Sequence, residues 1–260
     1  ASGLSVIMSD ISDDCLKRGF STIEQSITRL MKKEKITQED LKAILGRITG
    51  TTSLEDMSKA DFVVESAPEN VQLKLDIFRD LDKYCREPVI LSTNTSSISI
   101  TKIASATRRP EKVIGIHFMN PVPIMPLVEI IRGLATSEET YTVTKDLASK
   151  MGKTPVPAND FPGFIINRIM IPMVNEAIYA IYEGVGTPED IDQIMKLGLS
   201  YPIGPLALAD LIGLDTVLAV LEVLQSGLGD DKYRPCPLLR KYVAAGWLGR
   251  KSGRGFYNYS

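Results

Sequence analysis

Short runs of Val, Ile and Leu alternate with helical stretches as far as residue 160 and then stop, and nothing else in the sequence limits the fold as tightly. The runs cover residues 4–8, 62–65, 89–92, 113–116 and 127–131. Near-continuous apolar strands separated by helices predict a parallel sheet covered on both faces, the core of an α/β doubly wound domain. Residues 13–45 are charged, with apolar positions at helical spacing. They are too long for a simple crossover and predict an inserted helical pair. The break falls at Asn159-Asp160-Phe161-Pro162-Gly163, so the expected units are 1–160 and 161–260.

Beyond the break the strand signal disappears. Residues 164–182 are apolar nearly all round a helix, which requires burial at the centre of a domain or against a second subunit. Thr187, Pro188, Glu189 and Asp190 supply an N-cap, a proline at the first helical position and an acidic first turn. With another apolar helix over 214–224, the second unit reads as all-α. At the other end, Ala1-Ser2-Gly3 leading straight into a strand looks like the C-terminal cap of a preceding helix, so the chain is expected to begin in mid-fold.

Composition narrows the partners. At 260 residues and 44% apolar, the chain can bury a full core. Lys and Arg number 30 against 32 Asp and Glu, a net charge of −2 that gives no reason to expect nucleic acid or an anionic membrane. No stretch has the continuous apolar length of a membrane helix. Cys15, Cys85 and Cys236 are far apart and odd in number, which supports neither a metal site nor a disulfide framework. They read as reduced thiols of a cytoplasmic protein.

Chemistry must then come from a few positions. His117, the only histidine, ends an apolar run before a proline-broken loop. It either caps the strand or moves protons near neutral pH. Glu129 stands in the otherwise apolar run Leu127-Val128-Glu129-Ile130-Ile131. Either it points into water from an edge strand, or it is buried and paired, with His117 as the natural partner. Such a pair fixes the imidazole tautomer and stabilises the charged ring.

Other strand ends offer weaker signals. Asp10 follows the first strand, where an acidic residue can bind ribose hydroxyls and repel a 2′-phosphate, or simply make a turn. Glu69 and Lys74 follow the strand ending at Glu65, as ligand contacts or as a solvated ion pair. Ser92 to Ser97 are six consecutive small polar residues that suit a helix cap, a substrate contact, or both. Asn167 opens the apolar helix past the break, facing either a cleft or another helix. Arg29, Lys32, Lys33 and Lys35 form a solvated face or meet the phosphates of an anionic ligand.

Taken in order, Asp10, Val63-Val64-Glu65-Ser66-Ala67-Pro68-Glu69-Asn70, Ser92-Thr93-Asn94-Thr95-Ser96-Ser97, Gly115-Ile116-His117-Phe118-Met119-Asn120-Pro121, Pro162-Gly163-Phe164 with Asn167-Arg168, and Gly249 to Tyr257 resemble the 3-hydroxyacyl-CoA dehydrogenases. The resemblance spans essentially the whole chain and is greatest to the short 3-hydroxybutyryl-CoA dehydrogenases of butyrate- and butanol-forming bacteria. It implies a Rossmann-type NAD-binding domain followed by an all-α domain that forms a homodimer and closes the substrate cleft. It implies His117 as catalytic base, Glu129 as its orienting partner, Ser96 as donor to the C3 oxygen and Asn167 as a positioning group. Asp10, Glu69 and Lys74 would be cofactor contacts, with NAD preferred over NADP, and Arg29 and Lys33 would lie near the phosphates of an acyl-CoA substrate. The expected reaction interconverts (S)-3-hydroxybutyryl-CoA and acetoacetyl-CoA. A non-catalytic relative of the same fold, or a dehydrogenase of another 3-hydroxy acid, is the alternative. Met119 and Pro126 stand where the family often carries Phe and Lys, which bears on chain-length preference. The family's first strand, Gly-rich phosphate loop and most of the next helix have no counterpart in these 260 residues.

Overall fold

The first strand, β1 (Val6–Ser9), is followed at once by α1 (Asp13–Met31), whose start is set by Ser12. The Ser12 hydroxyl accepts the Cys15 N–H, while Asp13 and Asp14 place negative charge in the first turn. Next, α2 (Gln38–Leu45) opens on a reciprocal cap between Thr37 and Asp40 and leads into β2 (Ile48–Thr51), which pairs with β1 in parallel. The helical pair is therefore the crossover between two neighbouring strands, a correction to the insertion expected before residue 62. Ile48-Thr49-Gly50-Thr51 has one large apolar residue and a glycine, too weak a signal to read as a strand. The structure, a computed structural model, describes residues 2–32 and 36–259.

A second sheet of five strands has the order β3 (Phe62–Glu65), β4 (Ile90–Thr93), β5 (Val113–Phe118), β6 (Leu127–Arg132), β7 (Thr154–Asn159). Between β3 and β4 runs α3 (Val71–Tyr84), between β4 and β5 the short α4 (Ile100–Ala104), and between β6 and β7 α5 (Glu138–Lys150). The sheet is not wholly parallel as expected, because β5 and β6 are antiparallel. Residues 119–126 between them are too few for a parallel crossover, which takes about a dozen or more. In β7 the β pattern is interrupted by Pro155 and Pro157 and gives no strand signal in the sequence. These prolines are tolerated because β7 is an edge strand, paired among the described residues with β6 alone, leaving alternate N–H positions facing away from the ladder.

Ile90, Ile114, Ile116, Val128, Ile130 and Ala148 form an apolar cluster on this sheet. On the strand that carries His117, a Cβ on Gly115 would stand 2.8 Å from Ile100 Cδ1 and 2.9 Å from Ile131 Cβ, so only glycine lets α4 lie so close. A buried ion pair fastens the end of α3 to the approach to β5. Asp82 accepts from Arg109 Nε at 2.7 Å, from Arg108 Nε at 3.0 Å and from the Arg108 N–H at 3.1 Å. Burial pushes the Asp82 carboxyl up, but these hydrogen bonds and the Arg109 charge outweigh it and hold the group below its usual value. A carboxyl depressed in the folded state adds stability above its unfolded value of about 3.9, and that stability is lost as pH falls through the folded value. Asp82→Asn is accordingly expected to lower Tm most at neutral pH, with the deficit against the parent shrinking below about pH 4 in thermal scans. A deficit that stayed constant from pH 7 to pH 3 would show that the charge contributes nothing.

The contacts divide the chain into Ala1–Asp160 and Phe161–Ser260. In the second unit α6 (Ile166–Tyr182), α7 (Pro188–Gly198), α8 (Pro205–Ile212), α9 (Leu214–Leu228) and α10 (Pro237–Ala244) surround a core that includes Ile171, Val174, Ile178, Leu206, Val217, Leu221 and Leu239. Asp210, itself buried, clasps the C-terminal segment by accepting from the Phe256 and Tyr257 N–H groups and the Tyr259 hydroxyl, each at 3.0 Å. A Cβ on Gly255 would lie 1.9 Å from Asp210 Oδ1, so the glycine of this late motif serves packing. No helix among the described residues is long and apolar enough to cross a membrane.

Candidate active site

The antiparallel turn from β5 to β6 sets the central pair. In that register His117 stands opposite Glu129, and cross-strand neighbours project from the same face. His117 Nδ1 lies 2.8 Å from Glu129 Oε2, with the two residues only 9% and 2% exposed. A carboxylate inside an apolar strand is costly without a partner, and the imidazole supplies one. When Nδ1 carries the proton it donates to Glu129, and Nε2 is left as the ring's basic atom.

Strand register brings further polar residues to the same end of the sheet. Glu65 pairs with Thr93 at the ends of β3 and β4, and Thr93 pairs with Gly115, two residues before His117. Ser96 therefore lies on a turn at the His117 end of the sheet. Glu69 Oε1 gathers that turn: it accepts from the Thr95 hydroxyl at 2.5 Å, the Ser96 N–H at 3.1 Å, the Ser97 N–H at 3.0 Å and the Ser97 hydroxyl at 2.9 Å. Asn94, just before it, reaches sideways. Its N–H donates to the Glu65 carbonyl at 2.8 Å, its Nδ2 to Ser66 Oγ at 3.1 Å, and its Oδ1 accepts the Phe118 N–H at 2.9 Å.

Where the sequence suggested a cofactor contact at Lys74, the structure has a buried ion pair. Lys74 is 1% exposed and donates to Glu65 Oε1 at 2.7 Å and to the Ala67 carbonyl at 2.9 Å, with Glu69 Oε2 at 3.7 Å. Glu65 completes the group by accepting from the Ala67 N–H at 2.5 Å and the Thr93 hydroxyl at 2.6 Å. Lys74 is thus held within the group formed by Glu65, Ala67 and Glu69. Glu65 carried no assignment in the sequence reading, although a carboxylate closing an apolar strand was a visible sign of an internal partner.

The remaining candidates lie elsewhere. Asp10 is exposed at the end of β1, its Oδ1 accepting the Ile11 N–H at 2.7 Å. Arg29 is exposed in the last turn of α1, and Lys33 lies outside the described residues. Met119 is buried just after β5, and Pro126 is exposed at the entry to β6. Asn167 belongs to the second unit, buried in the first turn of α6.

An α/β unit with an acidic residue ending a parallel strand of one sheet and a buried imidazole–carboxylate pair in a second, followed by a helical unit, is the arrangement of a nicotinamide-dependent dehydrogenase. The comparisons narrow this class. The NAD-binding domain of 3-hydroxyacyl-CoA dehydrogenase matches residues 1–161 and the C-terminal domain of the same enzymes matches residues 163–259. The chain belongs to the 3-hydroxyacyl-CoA dehydrogenase family. It is 56% identical over 257 residues to a probable 3-hydroxybutyryl-CoA dehydrogenase of Bacillus subtilis, covering 99% of this chain and 90% of that one. It is 39% identical to the mitochondrial hydroxyacyl-coenzyme A dehydrogenase of Homo sapiens, covering 100% and 85%. Among solved structures, the (S)-3-hydroxybutyryl-CoA dehydrogenase of Ralstonia eutropha superposes with a TM-score of 0.96 at 52% identity, over 100% of this chain and 92% of that one.

Proposed function

We propose that this enzyme interconverts (S)-3-hydroxybutyryl-CoA and acetoacetyl-CoA with NAD, and that His117 is the general acid and base. The observation that carries the reading is the buried 2.8 Å contact between His117 Nδ1 and Glu129, at the end of the sheet in a unit matching an NAD-binding domain. In the oxidative direction His117 Nε2 takes the proton of the C3 hydroxyl while Glu129 holds Nδ1 and stabilises the imidazolium; in reverse the imidazolium returns the proton. Bound NAD would supply the hydride acceptor for C3. Ser96 is assigned as the donor to the C3 oxygen, and Asn167 keeps its assignment as a positioning group.

The chain's own residues suit that cofactor where the acidic strand end is concerned. Asp10 is exposed after a parallel strand, with Oδ1 accepting the Ile11 N–H. Its carboxylate can accept from ribose hydroxyls, and its charge disfavours the 2′-phosphate of NADP. Glu69 and Lys74 are assigned as further cofactor contacts, and Glu69 also holds the turn that carries Ser96. Arg29 and Lys33 are assigned to the CoA phosphates on charge alone. The second unit leaves Ile169, Ile194 and Leu197 exposed, which suits a homodimer, and sedimentation velocity should return twice the chain mass. The reduced thiols suit the cytoplasm.

The test follows NADH absorbance with acetoacetyl-CoA and, separately, with free acetoacetate. Oxidation of NADH with the thioester alone is the expected result. Turnover of the free acid would point to a dehydrogenase of another 3-hydroxy acid, and no turnover of either to a non-catalytic relative.

A further inference from the structure

We infer that Asn94 is a positioning residue that ties the His117 strand to the Ser96 turn. Resting on the dehydrogenase reading for its kinetic part, this assigns a role to a residue outside the imidazole–carboxylate pair. The ladder between β4 and β5 ends at Thr93 and Gly115, because β4 then turns away to form the segment containing Ser96. Past that point Phe118, directly after His117, would meet no main-chain carbonyl of β4. The Asn94 side chain takes over the ladder: Oδ1 accepts the Phe118 N–H at 2.9 Å.

The same amide is anchored on its other side. Nδ2 donates to Ser66 Oγ at 3.1 Å, and the Asn94 N–H donates to the Glu65 carbonyl at 2.8 Å, so the side chain has little freedom to swing. Glu65 is in turn fixed by Lys74 and Thr93. One residue thus links the ends of three strands, standing two positions before Ser96 and bonded one position after His117. Placement errors of about 1 Å between reacting groups can cost roughly 10²-fold in rate, so a clamp at this point acts on kcat rather than on cofactor affinity.

Two variants of the full chain separate this role from simple packing. Asn94→Leu keeps the volume and removes both side-chain hydrogen bonds. Asn94→Asp keeps an acceptor for the Phe118 N–H, and the Ser66 hydroxyl can rotate to donate to the new carboxylate. Asn94→Leu is expected to lower kcat with acetoacetyl-CoA by about 10- to 100-fold with KM for NADH little changed. Its Phe118 amide should exchange with deuterium about tenfold faster. Asn94→Asp should recover most of the rate and the amide protection. Parental kcat in a folded Asn94→Leu, unchanged Phe118 exchange, or an Asn94→Asp as impaired as the Leu variant would each overturn the assignment. So would a loss confined to Tm and KM. If the parent itself failed to turn over acetoacetyl-CoA, the functional reading would fall, while Phe118 exchange would still decide whether Asn94 holds the strand.

Discussion

Replacing His117 by Gln is expected to lower kcat for acetoacetyl-CoA reduction by about 10² to 10⁴-fold, with NADH affinity nearly unchanged. Glutamine approximates the imidazole's size and can hydrogen-bond to Glu129, so the buried carboxylate keeps a partner and the strand pairing survives. What it cannot do is carry and release a proton at the position of Nε2. The effect therefore belongs to the transition state, and kcat and kcat/KM should fall together. Stopped-flow measurement of NADH consumption, with a separate fluorescence titration of NADH, makes the comparison. Turnover near the parental rate in His117→Gln would remove His117 from the mechanism.

Lys74→Met should have the largest effect on stability. The ammonium lies in a closed polar group in which Glu65 Oε1 and the Ala67 carbonyl are its direct partners, at 2.7 Å and 2.9 Å. Methionine fills much of the space but leaves the Glu65 carboxylate, only 5% exposed, without its counter-charge. Breaking one partner of a buried pair costs about 3–5 kcal/mol, which in a unit of this size lowers Tm on the order of 10 °C. Adding Glu65→Gln to Lys74→Met removes the stranded charge and should recover a good part of the loss, since the penalty comes from the unpaired ion more than from the missing contact. Differential scanning calorimetry of the parent, the single variant and the double variant reads this directly. A single variant that melts with the parent, or a double variant that melts lower still, would show that the pair is not what holds the turn.

These two residues show how differently site positions appear in a sequence. His117 was conspicuous because it is the sole histidine and closes an apolar run, and Glu129 because a carboxylate interrupts one; both signals are local. The partner of Lys74 was not legible, since sequence spacing carries no information on which way a long side chain of a strand-to-helix connection turns. Asn94 sat unremarked among six small polar residues, where every member has the chemistry of a cap. Only the end of the β4–β5 ladder, leaving Phe118 to find an acceptor, singles it out.

The strands divide in the same way. β3, β4, β5 and β6 are rich in Val, Ile and Leu and were readable from composition, whereas β2 and β7 are held in place by neighbours and not by their own propensity. The direction of β6 followed from the short connection at 119–126, yet apolar content by itself suggested a parallel sheet. That one reversal of direction faces His117 with Glu129.

The sequence alone thus determined an α/β unit followed by an all-α unit, because apolar periodicity is written locally along the chain. It also determined the few side chains able to move a proton. Tertiary structure decided which of them meet, because strand register, strand direction and the unpaired N–H groups at strand ends arise only when segments distant in sequence lie side by side. His117 and Glu129 were visible separately; the 2.8 Å between them belongs to the fold.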